Sequence, residues 1–296
     1  MTINPYLSII IPTYNRAVFI RKTIESLLAQ TFQSFEIIVV DDGSTDDTED
    51  VVKSIPSDKI RYYKKENAER AAARNFGAKR ANGQYISFLD SDDIVYSNHL
   101  EVANTFLLTN RNVDIFHLGY DIKDVHGRLL REVRNIKSIN SQILSGNILS
   151  CNGIFARKDC ILKNEFNEDR KLSSLEDWEL WIRMSARYNF LNDNTITSSV
   201  IQHNDRSVMA SDTNKIKEKV HRFVQFVLDD NINRAHFGSK LNKVVASAWT
   251  YAALHLIMAN EDRKEVLHYL LKGIRVNPTE IFRKRFLVIL MKLVSL

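Results

Sequence analysis

The chain has 296 residues, 44% hydrophobic and 26% charged, enough apolar material for one large or two modest cores. Its 41 basic and 36 acidic residues leave +5, too weak a bias to indicate nucleic acid. Two cysteines, Cys151 and Cys160, exclude a disulfide framework and fit a reducing cytosol, and no apolar run nears the roughly 20 residues that span a bilayer.

Met1 to Pro5 lead into a strand without the pattern of a secretory leader, so a cytoplasmic location is expected. Leu7-Ser-Ile-Ile-Ile11 is β-branched and stops at Pro12, which predicts a buried strand. The loop Thr13-Tyr-Asn-Arg16 follows. Ile20, Ile24, Leu27 and Leu28 then recur at helical spacing. Phe35 to Val40 is a second strand, ending in the turn Asp41-Asp42-Gly-Ser-Thr-Asp46 that opens a helix. Lys59 to Tyr63 is a third strand. Arg70 to Ala81 favours helix and stops at Asn82-Gly83. Tyr85 to Leu89 is the fourth strand, Asn98 to Thr109 a helix, and Val113 to His117 a strand.

Such alternation of apolar strands and helices predicts an α/β fold, a mainly parallel sheet covered by helices on both faces. Ligands bind such sheets at the carboxyl ends of the strands. The loops 12–16, 41–46 and 90–93 all lie at carboxyl ends and should converge on one edge.

The alternation then breaks. Gly119 to Val133 predicts a hairpin turning at Asp124 to Gly127, and Ile148 to Phe155 another strand. Ser173-Ser-Leu-Glu-Asp177 has capping-box spacing for a helix carrying Trp178, Trp181, Ile182 and Met184. Thr195 to His203 is a last strand. Four helices are expected beyond, over 214–230, 238–258, 261–274 and 278–295. These patterns divide the chain into 1–212, whose alternation changes at about 118/119, and a helical region 213–296.

Tyr85-Ile-Ser-Phe-Leu-Asp90-Ser-Asp92-Asp93 places three carboxylates at the end of an apolar strand. The cluster is costly there unless something positive faces it. Asp90 and Asp92, two apart in extended chain, point to one side and suit a hard cation such as Mg²⁺ or Mn²⁺. A solvated turn or helix cap explains the same residues. Asp41 and Asp42 are equally open between binding a nucleoside and capping a helix. Trp178 and Trp181 share a helical face that fits either a core or a sugar platform.

Taken together and in order, Ile9 to Arg16, Val39 to Asp46, Ala73-Arg-Asn75 and Gly83 to Asp93 resemble the family 2 glycosyltransferases, inverting enzymes of the GT-A fold that use sugar nucleotides. The resemblance is close over 7–95 and looser to about 205. It implies that Pro12, Thr13 and Tyr14 line the nucleotide pocket. Asp42, or its neighbour Asp41, would hold the uracil, with Arg74 or Arg70 near the base or diphosphate. Asp90 and Ser91 would face the ribose or sugar, and Asp92 the metal, with Asp90, Asp93 and His203 as further metal contacts. Asp177 would be the general base and Glu176 its substitute, although capping-box spacing gives Asp177 a structural alternative. The loop Asn67-Ala-Glu-Arg70 lacks the glycine frequent in the family, and Asn164-Glu-Phe-Asn-Glu168 departs from its usual stretch before the base.

The resemblance further implies a Mn²⁺ or Mg²⁺ cofactor, a UDP-sugar donor and a glycan or lipid-linked acceptor in surface-polysaccharide assembly. A metal-dependent nucleotidyltransferase and a non-catalytic sugar-nucleotide binder are the alternatives. The first lacks a Gly-rich phosphate loop after the first strand, and the second would be favoured by loss of Asp92 or Asp177, which are both present. The stretch 278–296 joins a basic cluster to an apolar helix. It fits either peripheral contact with the inner membrane face or packing on the protein or across a homodimer.

Overall fold

The computed structural model describes residues 6–134, 136–203 and 212–295. Its strands are β1 Leu7–Thr13, β2 Phe35–Asp41, β3 Ile60–Lys64, β4 Tyr85–Phe88, β5 Ile94–Val95, β6 Ile115–Asp124, β7 Leu129–Val133, β8 Ile154–Arg157 and β9 Phe190–Gln202. Its helices are α1 Ala17–Leu28, α2 Thr48–Lys53, α3 Glu69–Arg80, α4 His99–Thr109, α5 Ile139–Gln142, α6 Lys158–Lys163, α7 Glu176–Ser185, α8 Thr213–Asp229, α9 Asn231–Phe237, α10 Leu241–Met258, α11 Arg263–Val276 and α12 Lys284–Ser295. They form two compact units. The first comprises 1–139, 148–168 and 188–204; the second comprises 140–147, 169–187 and 205–296. The boundary expected near 212 adjoins residues 204–211, which lie outside the described residues.

The first unit holds one sheet in the order β3-β2-β1-β4-β8-β6-β9-β5, with β7 added to β6. Strands β3, β2, β1 and β4 are mutually parallel. Every residue of β1 and β2 is buried, which is why both read as unbroken apolar runs. Helix α3 packs closely here: a Cβ on Gly77 would lie 2.6 Å from Ile10 Cγ2. Beyond β4 the sheet is mixed. Strand β8 runs antiparallel to β4 and β6, while β9 is parallel to β6. The two-residue β5 directly follows Asp93 and pairs antiparallel with β9, Ile94 against Ser199. Continuing that register lays residues 200–203 beside 90–93.

Several expected elements differ in extent. The strand expected at 113–117 runs from Ile115 to Asp124, so it forms the first arm of the 119–133 hairpin. The strand expected from Ile148 begins only at Ile154, after a 3₁₀ turn at Cys151–Gly153. Ser150 caps that turn by accepting from the Asn152 amide.

In the second unit α10 is central, with Val244, Ala246, Ala248, Ala252, Ala253 and Leu256 buried. Its small residues admit α11, whose Gly273 would place a Cβ 3.0 Å from the Ala246 carbonyl oxygen. Helix α9 was not expected; Asp230 caps it by accepting from the Asn233 amide at 2.7 Å. The helix expected over 278–295 breaks at extended Arg283, giving a 3₁₀ turn Pro278–Phe282 and then α12. The turn is held by buried Glu280, which accepts from Thr250 Oγ1 at 3.1 Å and pairs with Arg283.

Candidate active site

The ends of β1, β2 and β4 form one edge of the first unit, because the strands are adjacent and parallel. After β1, Asn15 turns the chain with φ 51°. Its amide donates to Ser44 Oγ at 2.9 Å and its Oδ1 accepts from the Thr45 amide at 2.8 Å. The Arg16 amide donates to Thr48 Oγ1. The loops after β1 and β2 are thereby tied together. Pro12 and Thr13 are buried and Tyr14 is exposed. Thr13 Oγ1 is buried without a hydrogen-bond partner among the described residues, an unusual cost that a bound polar ligand would relieve.

Asp41 and Asp42 are both buried but face different duties. Asp41 closes its own turn: Oδ1 accepts from the Ser44 amide at 2.7 Å and Oδ2 from the Tyr62 hydroxyl at 2.5 Å. Burial and the Asp41 charge push the Tyr62 phenol far above its ordinary pKa. Asp42 instead reaches the 65–68 loop, accepting from Lys65 Nζ at 2.6 Å and from the Ala68 amide at 3.0 Å.

The loop after β4 is fixed from three sides. Thr23 Oγ1, on the buried face of α1, lies 3.0 Å from the Ser91 carbonyl oxygen and 2.8 Å from that of Asp93. Asp93 is buried; its Oδ1 accepts from the Ile201 amide at 2.9 Å and its Oδ2 from Asn152 Nδ2 at 3.0 Å. That ties the loop to β9 and to the 3₁₀ turn. Asp90 and Asp92 are more open. Arg74 Nη2 donates to Asp90 Oδ1 at 2.8 Å. Asp92 Oδ2 lies 2.9 Å from His203 Nε2 and 3.6 Å from Arg16 Nε. Two arginines therefore supply part of the positive charge that the cluster demands.

The three aspartates present one carboxylate oxygen each within 4.8 Å of one another. Oxygen donors in this number suit Mg²⁺ or Mn²⁺. His203 lies beside this cluster, with Nε2 on Asp92. Its ring stacks on Phe19 at 4.6 Å, and its Nδ1 is buried with no hydrogen-bond partner among the described residues. Asp93 is fully buried with both oxygens bonded, whereas Asp90 and Asp92 are half-buried, so these two could hold an ion more openly.

In α3, buried Arg74 lies with its guanidinium carbon 5.2 Å from the centre of the Phe166 ring, and half-buried Arg70 sits in the first turn. Asn75 clamps the 166–168 stretch: it accepts from the Phe166 amide at 2.8 Å and donates to the Phe166 carbonyl and Glu168 Oε1. The Ala-Arg-Asn sequence thus joins one side chain aimed at Asp90 to one that anchors a loop.

Glu176 and Asp177 belong to the second unit, in the first turn of α7. The helix cap is Leu175, with Ser174 before it at φ 77°, so the expected capping box does not form. Asp177 is half-buried, accepting from Asn147 Nδ2 at 2.9 Å; Glu176 is buried. Trp178 and Trp181 are core residues. Trp178 stacks on Phe223 at 4.5 Å and donates to the Ile143 carbonyl. Sequence reasoning gave no role to Thr23, Arg16 or Asn152. Only Thr23 left a trace there, as a hydroxyl at a core position of an amphipathic helix.

Residues 8–159 match the family described as Glycosyl transferase family 2. The chain belongs to this family. An uncharacterized glycosyltransferase of Rickettsia bellii is 37% identical over 234 residues, covering 76% of this chain and 32% of that protein. The chain spans about a third of the length of such rickettsial relatives. It is also similar to the Escherichia coli UDP-Glc:alpha-D-GlcNAc-diphosphoundecaprenol beta-1,3-glucosyltransferase WfgD, 32% identical over 65% of this chain and 72% of that one. Among solved structures, S. aureus TarS 1–349 in complex with UDP-GlcNAc superposes with a TM-score of 0.71. It is 20% identical over 93% of this chain and 82% of that one. A Pyrobaculum calidifontis mannosyltransferase in complex with GDP-Man and Mn²⁺ gives 0.59 at 17% identity, over 99% and 86%. The fold of this family 2 chain is thus the GT-A-like α/β fold.

Proposed function

We propose that this chain is a metal-assisted, inverting glycosyltransferase that moves one sugar from a UDP-sugar to a glycan or lipid-linked acceptor. The observation that carries this reading is the outward pair Asp90 and Asp92, braced by Asp93, Arg74 and His203 at a strand's carboxyl end. The nucleotide is inferred from the donor named for WfgD and the ligand bound to TarS, and the ion from the Mn²⁺ of the archaeal mannosyltransferase.

In this reading residues 1–118 bind the donor. Asp42 accepts from the uracil, beside the orphaned Thr13 hydroxyl and the exposed ring of Tyr14. Asp90, oriented by Arg74, faces the ribose and sugar. Asp92 and Asp90 would hold the divalent ion, with His203 beside them; when bound, it would neutralise charge growing on the departing diphosphate. Arg16 and Arg74 add fixed positive charge. Asp177 takes the proton as the acceptor O–H bond breaks and the new bond to the anomeric carbon forms. The bond from that carbon to the diphosphate breaks in the same displacement, so the configuration inverts. Glu176, buried in the same turn of α7, is the substitute for Asp177 in this role. In this reading the reaction takes place in the cytoplasm.

A thermal-shift panel of UDP-, GDP- and dTDP-sugars, with and without Mn²⁺, tests the proposal. Stabilisation by one UDP-sugar only when Mn²⁺ is present supports it. No ion-dependent stabilisation by any sugar nucleotide contradicts it.

A further inference from the structure

Helix α12 is amphipathic in an inverted sense. It turns Ile289 fully inward and Arg285 with it, the guanidinium Nη1 donating to the Ser247 carbonyl at 2.7 Å and approaching Thr250 Oγ1 at 3.2 Å. Its outward side carries Leu287, Leu290, Met291 and Val294, at i, i+3, i+4 and i+7, with Val288 alongside. Met291 is 72% exposed and Val294 87%, and Phe282 just before the helix is 83% exposed. A helix facing only water reverses this arrangement, with the arginine outside and the aliphatic chains within.

We propose that this outward face, together with Phe282, docks on an anionic lipid surface. Length is the first argument. Twelve residues make about 18 Å of helix, too short to cross a bilayer but suited to lying in its interface. No described helix is long and apolar enough to cross a membrane. Charge is the second. Residues 213–296 carry 15 Lys and Arg against 7 Asp and Glu, which leaves 26 and 29 of the chain's 41 and 36 for the remainder. The basic excess of the whole chain therefore resides in the region that bears the apolar stripe. Lys284 is exposed in the first turn of α12, one turn before Leu287 on the same side as the apolar stripe. The same charge argues against a second copy as the occupant, since self-association would press two strongly basic regions together. The proposal rests on α12 itself and not on the donor chemistry.

The test is sedimentation of the full chain with vesicles of phosphatidylcholine alone or mixed with phosphatidylglycerol. Binding to the mixed vesicles, weakening as salt rises, is expected. The double variant Leu287→Gln/Met291→Gln, at exposed positions, should melt like the parent and bind about tenfold or more weakly. Lys284→Gln should reduce the preference for phosphatidylglycerol. Absence of vesicle binding at low salt, or equal binding by the double variant, overturns the proposal. So does a concentration-dependent dimer that the double variant abolishes without any vesicle binding. UDP-sugar binding measured on the same preparations separates the two ideas: its absence beside intact vesicle binding fails the donor assignment alone.

Discussion

The imidazole Nε2 of His203, one residue past β9, lies 2.9 Å from Oδ2 of Asp92, in the loop after β4. The two are 111 positions apart, and the antiparallel β5–β9 pairing brings them together. Replacing His203 by Ala removes both the ring on Phe19 and the partner of Asp92. The Mn²⁺ concentration giving half-maximal transfer should rise about 10- to 100-fold. An unchanged Mn²⁺ dependence would confine His203 to packing.

Asp93 is assigned to bracing rather than to the ion. Asp93→Asn would set an NH₂ group against the Ile201 amide or the Asn152 amide group, both donors. A loss of about 1–3 kcal/mol is expected, read as a lower melting temperature in EDTA, where no ion contributes. An unchanged melt in EDTA with lost Mn²⁺ affinity would make Asp93 a ligand instead.

Asp177→Asn should leave UDP-sugar affinity within about twofold and lower the transfer rate by ~10²–10⁴. Equilibrium binding beside single-turnover rates separates the two effects. Loss of donor binding or a collapsed melt would mean that its bond from Asn147 serves the fold alone.

Two buried histidines predict acid sensitivity. Burial lowers His99 to about 3, with a smaller contribution from neighbouring His117, and burial lowers His117 to about 3 as well. His99 Nδ1 faces Thr197 Oγ1, and His117 Nε2 accepts from the Ser150 amide. The folded pKa lies below the unfolded value near 6.5. Below that pH the unfolded chain binds protons that the folded chain refuses, so stability falls from about pH 6.5 toward 3. The slope is up to about 1.4 kcal/mol per pH unit for each histidine. Urea unfolding at pH 7 and pH 5 should show the loss, and His117→Asn should flatten it if the variant folds.

Much of the frame around the ends of β1, β2 and β4 was legible in sequence because its signals are local. β1 and β2 are buried on both faces, so each is a continuous apolar run. Asp42, Asp90 and Asp92 follow strands whose parallel order fixes a common edge. What escaped was set by pairing between distant segments. Nothing near Thr23 announces that its hydroxyl reaches the 91–93 carbonyls, and nothing near Asn152 announces Asp93. Arg16 was legible only as a loop residue. The expected capping box at 174–177 failed because Ser174 takes a positive φ and Leu175 becomes the cap. The single helix expected over 278–295 failed because Glu280 is drawn inward to Thr250, and the chain reopens at Arg283.

The central claim is that Asp92 couples an ion to the donor's diphosphate. Calorimetric titration of UDP into the parent and into Asp92→Asn, each in Mn²⁺ and in EDTA, tests it most directly. The parent is predicted to bind at least about tenfold more tightly in Mn²⁺, and the variant to show no such difference at an unchanged melting temperature. Equal UDP affinity in Mn²⁺ for both proteins would contradict the account.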